Sequence, residues 1–300
     1  MKTGKVTKRF RIDDPDKFRL KDFDPADTCG MDIEKREAKE MLALGVKRLS
    51  ELQERLYAQD RWAVLVIFQA MDAAGKDSAI EHVMSGVNPQ GCQVFSFKAP
   101  TAQELDHDFM WRSTMCLPER GRIGIFNRSY YEEVLVVRVH PDILAHQKLP
   151  PQLVSKNIWE ERFKDIRAFE RYMARNGTLI LKFFLHVSKE EQRRRFLERI
   201  DDPSKNWKFS ARDVAERKLW DSYMSAYEDM IRNTSRGHAP WYVVPADNKW
   251  FTRIAVASVL IEAMETLDLH FPKLDPAALA ELKQARVALM QEGKSGKPKK

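Results

Sequence analysis

The sequence has few cysteines and no long apolar run. Its three cysteines, Cys29, Cys92 and Cys116, are odd in number and show no C-x-x-C spacing. We therefore expect neither a disulfide framework nor a structural zinc site. No run reaches the roughly 18 consecutive apolar residues of a membrane-spanning helix, and the first residues, MKTGKVTKRFRIDD, lack the apolar stretch of a secretion signal. These absences predict a cytoplasmic protein.

The chain does contain enough apolar material for a core, together with a moderate excess of positive charge. Hydrophobic residues make up 43% of the 300 and aromatic residues 10%, so the chain is not of the disordered class. Lys and Arg number 51 against 44 Asp and Glu, for a net charge of +7. That excess favours polyanionic partners, whether nucleic acid, an anionic membrane surface or phosphate-rich small molecules.

Apolar periodicity divides the chain into alternating strands and helices. Strand patterns cover Ala63–Phe68, Gln93–Phe97, Arg122–Phe126, Thr178–Val187 and Trp241–Val244. Helical patterns separate them, among them Asp32–Ala58, Ala102–Leu117 and Ala211–Thr234. Strands spaced by helices predict an α/β fold in which a parallel sheet is covered by helices on both faces. Phosphate ligands of such sheets bind at the carboxyl ends of the strands.

The domain limits follow from composition. Residues 1–30 are charged and punctuated by proline, and we predict an irregular N-terminal arm there. Residues 31–272 form the α/β domain. Residues 273–300 are predicted to be a C-terminal helix followed by a disordered basic tail, GKSGKPKK, from Gly293.

The stretch AVLVIFQAMDAAGKDSAI, residues 63–80, is typical of a phosphate-binding loop. An apolar strand gives way to Ala73, Ala74 and Gly75, and Lys76 opens a helix. In such a loop the backbone N–H groups and the positive helix end bind the anion, and the lysine reaches the outer phosphates. An ordinary strand-to-helix turn has the same outline, so the motif alone leaves both interpretations open.

The strict pattern G-x-x-x-x-G-K-[ST] is not met. Ala70 replaces its first glycine, Asp77 replaces its magnesium-binding hydroxyl, and Ser78 follows one place late. Asp72, inside the turn, is suited to hold a metal or to orient an attacking phosphate oxygen. Both Asp72 and Asp77 also fit the simpler role of acids favoured at a helix N-terminus.

The third strand ends in FNRSYYEE, Phe126–Glu133. Asn127 stands where phosphate-loop enzymes usually carry a metal-binding acid, and Arg128 offers a fork of donors suited to phosphate. An ion pair of Arg128 with Glu132 or Glu133 is the alternative.

Two further segments carry polar side chains of uncertain direction. In HDFMWR, His107 reads as a structural histidine, while Arg112 points either into the crevice or to solvent. Residues 193–213 combine seven basic side chains with four acids around the break DDPSKNWKFS. That segment is either a solvated helical face or the helix–break–helix of a kinase lid, which closes over phosphates and excludes water.

Taken together, these motifs resemble the polyphosphate kinase 2 family. The matching stretches are MDAAGKD (Met71–Asp77), HDFMWR (His107–Arg112), GIFNRSYYEEVLVVRVHP (Gly124–Pro141), KFFLHVSKEEQRRR (Lys182–Arg195), WKFSARD (Trp207–Asp213) and APWYVVPADNKW (Ala239–Trp250). The resemblance extends over roughly residues 23–271. It implies a thymidylate-kinase-like phosphate-loop fold with a helical lid at about residues 189–235.

The resemblance also implies the chemistry and the residues. It implies reversible, Mg²⁺-dependent phosphoryl transfer between inorganic polyphosphate and nucleoside mono- or diphosphates. Asp72, Lys76 and Arg128 are the implied catalytic set, with Asp72 as metal ligand. The implied phosphate- and nucleotide-binding residues are Ala73, Ala74, Gly75, Asp77, Ser78, Arg112, Asn127, Glu133, Arg193, Lys205 and Lys208.

The sequence around Asn127 and Glu133 resembles that of the family branch that phosphorylates both nucleoside mono- and diphosphates. Members of the family commonly assemble, so a homodimer or homotetramer is expected, with neither nucleic acid nor membrane as a partner. An ATP-dependent nucleoside monophosphate kinase is a second interpretation, because it uses the same loop and lid. A non-catalytic nucleic-acid-binding protein is a third, based on the positive charge.

Overall fold

In residues 3–295, which the computed structural model of the chain describes, five parallel β-strands form one sheet. The strands are β1 (Ala63–Gln69), β2 (Cys92–Ser96), β3 (Ile123–Asn127), β4 (Thr178–His186) and β5 (Trp241–Pro245). Their order across the sheet is β2-β3-β1-β4-β5, and every neighbouring pair is parallel. The parallel sheet predicted from the sequence is therefore confirmed.

Helices cover both faces of this sheet. The helices of the described residues are α1 (Thr3–Phe10), α2 (Lys35–Gln59), α3 (Lys76–Val83), α4 (Ala102–Leu105), α5 (Trp111–Thr114), α6 (Val136–Val139), α7 (Pro141–Ala145), α8 (Ile158–Arg175), α9 (Lys189–Asp201), α10 (Ala211–Glu216), α11 (Trp220–Thr234), α12 (Lys249–Glu265) and, in a separate unit of the chain, α13 (Pro276–Ser295). On one side α12 packs against α1, α2 and α3, and on the other α11 packs against α6 and α8.

β1 is the central strand because its side chains are suited to burial on both faces. All residues from Ala63 to Gln69 are buried, as expected of an apolar, β-branched run in a parallel sheet. Val66 pairs with Ile125 of β3 on one side and with Leu181 of β4 on the other. The loop after β1 therefore emerges between the ends of two neighbouring strands, where a ligand crevice is expected.

The N-terminal arm is less irregular than predicted. Thr3–Phe10 forms helix α1, and the backbone of Ile12 then bonds to Trp241 of β5. Phe10 and Phe18 are almost fully buried in the main core. Burial of these rings explains the order of the arm, since a charged, proline-containing sequence gives no such signal by itself. Residues 1–2 of the predicted arm lie outside the described residues.

The prediction of one helix over Ala102–Leu117 is wrong. A capping box between Thr101 and Glu104 starts α4, but that helix ends at Leu105 and α5 begins only at Trp111. The Asp108 carboxylate accepts a hydrogen bond from the Met110 N–H at 2.9 Å. Such a side-chain bond to the backbone two residues on competes with helix formation.

The segment 189–235 contains helices on either side of a break, as predicted for a lid. α9 ends at Asp201, just before Asp202–Pro203, where the residue ahead of proline disfavours helix. The predicted helix Ala211–Thr234 is interrupted by a 3₁₀ turn at Arg217–Leu219. The Arg217 guanidinium donates to the Lys189 carbonyl at 2.9 Å, which ties this turn to the start of α9.

The chain divides into two compact units at the junction of Leu269 and His270. The second unit contains α13, on which Leu282 and Leu289 are exposed. Because α13 continues to Ser295, the predicted disordered tail does not begin at Gly293, and residues 296–300 lie outside the described residues. Among the helices of residues 3–295, none combines the length and apolar content that crossing a bilayer needs.

Candidate active site

The loop between β1 and α3, residues 70–76, has the backbone of an anion-binding turn. We call it the phosphate loop. Ala73 and Gly75 both adopt left-handed conformations, with φ of 61° and 104°. The first N–H groups of α3 have no acceptor within the helix, and the positive end of the helix dipole lies there. This turn is thus able to bind a phosphate group through main-chain donors.

Lys76 is folded back onto the phosphate loop. Its Nζ donates to the Ala70 carbonyl at 2.9 Å and to the Met71 carbonyl at 3.4 Å, and only 8% of the residue is exposed. Burial lowers the pKa of the ammonium, and the neighbouring Arg128 lowers it further. The carboxylates of Asp72 and Glu132 oppose that shift without cancelling it. A phosphate anion would supply the counter-charge that this ammonium lacks.

Arg128 faces the phosphate loop from the end of β3. Its Nη2 donates to Asp72 Oδ1 at 2.8 Å, and its Nη1 lies 3.7 Å from Glu132 Oε2. The Arg128 N–H bonds to the Phe68 carbonyl at 3.0 Å, and the residue has a positive φ of 65°. Arg128 therefore forms the ion pair with Glu132 that was its alternative role, and it also faces the phosphate loop.

Asp77 and Asn127 also meet at this edge of the sheet. The Asn127 Nδ2 donates to Asp77 Oδ1 at 2.5 Å. Ser78, by contrast, accepts a hydrogen bond from Arg253 Nη2 of α12 at 2.8 Å. Its hydroxyl is therefore engaged on the α12 side of α3.

Two side chains of α9 that the sequence analysis missed hold the phosphate loop from the other side. Arg195 Nη1 donates to the carbonyls of Ala73 and Ala74 at 3.0 and 2.7 Å, and Gln192 Nε2 donates to the Asp72 carbonyl at 2.8 Å. Both residues are buried together with Phe196. That spacing of three and four residues is the signal that identifies the inward face of the helix.

The three basic residues chosen from the segment 189–235 lie elsewhere on it. Arg193 pairs with Glu190 on the exposed face of α9, Lys205 pairs with Asp202, and the Lys208 ammonium lies 4.9 Å above the Trp207 ring. Among the contacts of the described residues, none joins these three side chains to the phosphate loop. The structure therefore brings Asp72, Lys76 and Arg128 together but not these three.

A cavity of about 390 Å³ opens beside Arg128. Its walls combine apolar and charged side chains and include Phe109, Tyr130, Val136, Arg112, Glu132 and Glu133. A second cavity of about 270 Å³, bounded by Asp72 and Tyr223, shares Arg128 and Val136 with the first. Arg128 therefore stands at the junction between the phosphate loop and a space large enough for a small organic ligand.

The predicted residues Glu133 and Arg112 both line the larger cavity. Glu133 accepts hydrogen bonds from Arg162 Nε at 3.0 Å and Gln147 Nε2 at 2.6 Å. Burial raises the pKa of this carboxyl group, and Arg162 opposes the rise. Arg112 donates to the Lys98 carbonyl at 2.7 Å, so it points into the crevice rather than to bulk solvent.

His107 also lines the larger cavity. Its Nδ1 lies 2.8 Å from the Gln103 carbonyl oxygen. Its ring stacks on Trp111 at 4.0 Å. The expectation of a structurally satisfied histidine agrees with these contacts.

The oxygen donors near the phosphate loop fit a hard cation better than a transition metal. In residues 3–295 no group of three or more His, Cys, Asp and Glu side chains is arranged to hold a metal ion. The oxygens of Asp72, Asp77 and Asn127 nevertheless lie at one edge, linked through Arg128 and the Asn127 amide. Mg²⁺ is commonly bound by one or two carboxylates with the rest of its shell from water and substrate phosphates.

Comparison with known proteins gives one consistent result. The family described as "Polyphosphate kinase 2 (PPK2)" matches residues 32–272. An "ADP-polyphosphate phosphotransferase" of Rhodopseudomonas palustris is 54% identical over 286 residues, covering 95% of this chain and 99% of that protein. An "AMP/ADP-polyphosphate phosphotransferase" of Meiothermus ruber is 47% identical over 271 residues, covering 90% of this chain and 97% of that protein.

The fold has a solved counterpart as well. The crystal structure of polyphosphate kinase 2 from Arthrobacter aurescens superposes with a TM-score of 0.85 at 41% sequence identity. The match covers 93% of this chain and 96% of that one. The likeness therefore extends over nearly the whole of both chains.

Proposed function

The chain belongs to the polyphosphate kinase 2 family, and on that premise we propose that it transfers a phosphoryl group reversibly between inorganic polyphosphate and nucleoside mono- or diphosphates. One observation carries this proposal: Lys76, Arg128 and Asp72 converge on the phosphate loop, next to a cavity that also includes Arg128. The relatives named above act on the same classes of substrate according to their names.

We propose that the phosphate loop holds the phosphate group in transfer and that the larger cavity holds the nucleotide. The apolar walls of the cavity, among them Phe109 and Val136, suit a base, and Arg112 and Glu133 add polar contacts. The nucleotide's terminal phosphate would then lie beside Arg128. This placement lets the two reactants meet end to end, as in-line transfer requires.

Phosphoryl transfer needs positioning and charge neutralisation more than covalent chemistry. Lys76 would exchange its bonds to the loop carbonyls for oxygens of the transferred group. Arg128 would leave Asp72 and donate to the equatorial oxygens, where negative charge is spread in the loose transition state. Asp72, freed from this ion pair, would orient the attacking phosphate. Closure of the segment 189–235 would exclude water and bring Arg193, Lys205 and Lys208 towards the polyphosphate chain.

We propose Mg²⁺ as the cofactor, because the donors at this edge are oxygens and because few of them are carboxylates. Asp72 would hold the ion, with Asp77 and Asn127 beside it. When bound, the ion neutralises charge on the phosphate oxygens and aligns the two phosphate groups.

We also propose where the enzyme works and how it assembles. The cytoplasm suits a chain that has three cysteines, Cys29, Cys92 and Cys116, with no C-x-x-C spacing. Because members of the family commonly assemble, we propose a homodimer or homotetramer, with neither nucleic acid nor a membrane as a partner.

The test is a luciferase assay for ATP after mixing the protein with polyphosphate, Mg²⁺ and ADP, with no other phosphate donor. We expect ATP to form, and ³¹P NMR with AMP, ADP, GMP and GDP in turn would define the acceptors. Activity with ATP and AMP but none with polyphosphate would instead indicate a nucleoside monophosphate kinase. Inactivity with every donor, combined with salt-dependent binding of RNA or DNA, would indicate the nucleic-acid-binding alternative.

A further inference from the structure

A fully buried ion pair lies behind the segment that carries Arg128. Lys182, in the middle of β4, and Glu170, on α8, are both completely inaccessible, and their Nζ and Oε2 atoms lie 2.7 Å apart. Two tyrosines that follow Arg128 bond to the same carboxylate. Tyr130 and Tyr131 donate to Glu170 Oε1 at 2.9 and 2.7 Å. We call these four residues the buried anchor.

The hydrogen bonds of the buried anchor are complete. The Lys182 ammonium donates to Glu170, to Tyr131 Oη at 2.9 Å and to the Thr234 carbonyl at 2.9 Å. Burial lowers the pKa of Lys182 to about 8, and Glu170 opposes the shift, so the ammonium is retained at neutral pH. The buried anchor joins β4, α8 and α11 to the turn that follows β3.

Stability alone is a poor reason for such a pair. Desolvation of two charges offsets most of their attraction, and replacing a buried pair by apolar residues is often neutral or stabilising. A buried polar network of this kind instead fixes one arrangement of the groups bonded to it. The relevant question is which group needs to be fixed.

The turn held by the buried anchor is the one that places the charged groups of the active site. Arg128, immediately before it, has a left-handed backbone that a non-glycine residue adopts only when its surroundings enforce it. In the 3₁₀ helix Tyr130–Val134 both tyrosines are buried, and Tyr130 lines the cavity together with Glu132 and Glu133. Fixing the tyrosine side chains therefore fixes the direction of Arg128 and of both acids.

We propose that Glu170 and Lys182 are positioning residues that, through Tyr130 and Tyr131, hold Arg128 in the orientation needed for phosphoryl transfer. The proposal rests on the proposed function, in which Arg128 donates to the transferred group. Neither Glu170 nor Lys182 lines the cavities beside Arg128, and their side chains reach the turn through Tyr130 and Tyr131.

The test uses the double variant Glu170→Gln/Lys182→Met, which removes both charges and leaves no unpaired ion in the core. Tyr131→Phe, which deletes one hydroxyl and keeps the ion pair, is the milder second variant. Ile166→Val, a buried apolar change on the same helix α8, is the matched control. We expect the double variant to lower kcat by about 10-fold or more, on the scale of a small misplacement of a reacting group, with KM changed less than about threefold.

A double-mutant cycle separates positioning from a general structural role. In an Arg128→Lys background, which keeps a cation and hence measurable turnover, the anchor changes should cause no further loss of kcat, because residues that act as a unit are not additive. Equal losses in the two backgrounds would overturn the proposal, as would a loss no larger than that of Ile166→Val. If the wild-type protein forms no ATP from polyphosphate, the proposed function itself fails, whereas active wild type with fully active anchor variants refutes the positioning role alone.

Discussion

At the scale of single residues, the active site concentrates opposite charges in a small, poorly solvated space. Lys76, Arg128, Asp72 and Glu132 interact with one another at the phosphate loop. The two carboxylates therefore hold the two cations close together, and a bound phosphate would take the place of these carboxylates as partner of the cations. Under the proposed function both donors already stand beside the phosphate loop and exchange their present hydrogen-bond partners for phosphate oxygens.

Removing either the Lys76 ammonium or the Asp72 carboxylate should abolish most of the turnover. We expect Lys76→Ala or Asp72→Asn to lower kcat by ~100-fold or more, the scale of losing one preorganised electrostatic contact. Lys17→Ala, at an exposed lysine paired with Asp14, is the control and should leave kcat unchanged. Steady-state ATP formation from ADP and polyphosphate measures all three, and near-wild-type turnover in either site variant would contradict the mechanism.

His186, at the end of β4, should make the stability depend on pH. Burial lowers its pKa to about 4 in the folded protein, whereas an exposed histidine takes up its proton near pH 6.5. Between these values the unfolded chain binds more protons, so the free energy of unfolding falls as the pH is lowered from about 6.5 to about 4. The loss attributable to this residue is roughly 3 kcal/mol at about 1.4 kcal/mol per pKa unit.

His186→Gln, which cannot titrate, is the variant that isolates this effect. Its free energy of unfolding in urea should decline less steeply than that of the wild type between pH 6.5 and pH 4. Parallel declines of the two proteins would show that His186 takes up its proton equally in both states.

Asp72 and Arg128 were accessible to sequence analysis because they lie three residues after β1 and one residue after β3, and Lys76 was accessible because it opens the helix that follows the loop. Arg195 was not, because it stands in a run of three arginines. Only the helical phase set by Gln192 and Phe196 shows which of the three points inward. The basic character of a segment is thus readable from composition, but the direction of each charge depends on packing.

At the scale of elements, α9 is joined to the phosphate loop by Gln192 and, through more hydrogen bonds, by the guanidinium of Arg195. Arg195 donates to four backbone carbonyls, those of Ala73, Ala74, Ala246 and Asp247. It thereby joins the ends of β1 and β5 to the helix. A fork of five fixed N–H donors is what such multiple contacts require.

Arg195→Lys should therefore destabilise the protein although it keeps the charge. An ammonium cannot serve four carbonyls spread around one planar group, and each buried carbonyl left without a partner costs about 1–3 kcal/mol. We expect a loss of that order in urea unfolding. Arg194→Lys, at an exposed neighbour paired with Glu191 and Glu198, should change the free energy of unfolding by less than about 0.5 kcal/mol, and equal effects of the two changes would refute the fastening role.

Long helices with an apolar stripe were predictable, and short ones were not. α2 carries buried Leu49, Leu52 and Leu56 at helical spacing, a signal that a single sequence provides. Between Ala102 and Leu117 the same kind of residues are present, yet the Asp108 side chain bonds to the backbone and divides the helix. Local competition of this sort decides an element without altering its average composition.

At the scale of the whole molecule, the division at Leu269 and His270 predicts that the two units are separable. A chain shortened to residues 1–272 should keep its kcat and should melt within about 2 °C of the full chain, because α13 contributes mainly exposed side chains such as Leu282 and Leu289. Differential scanning calorimetry and the luciferase assay measure both. A melting temperature lowered by more than about 5 °C would show that α13 stabilises the first unit.

The position of β1 in the middle of the sheet determines which parts of the first unit are able to open locally. Val64 to Phe68 lie between two neighbouring strands, so we expect their backbone amides to exchange with deuterium more slowly than those of the edge strands β2 and β5. The phosphate loop follows directly after this strand, the segment that we expect to exchange most slowly. We therefore expect the surrounding helices, and not this strand, to move when substrates enter and leave.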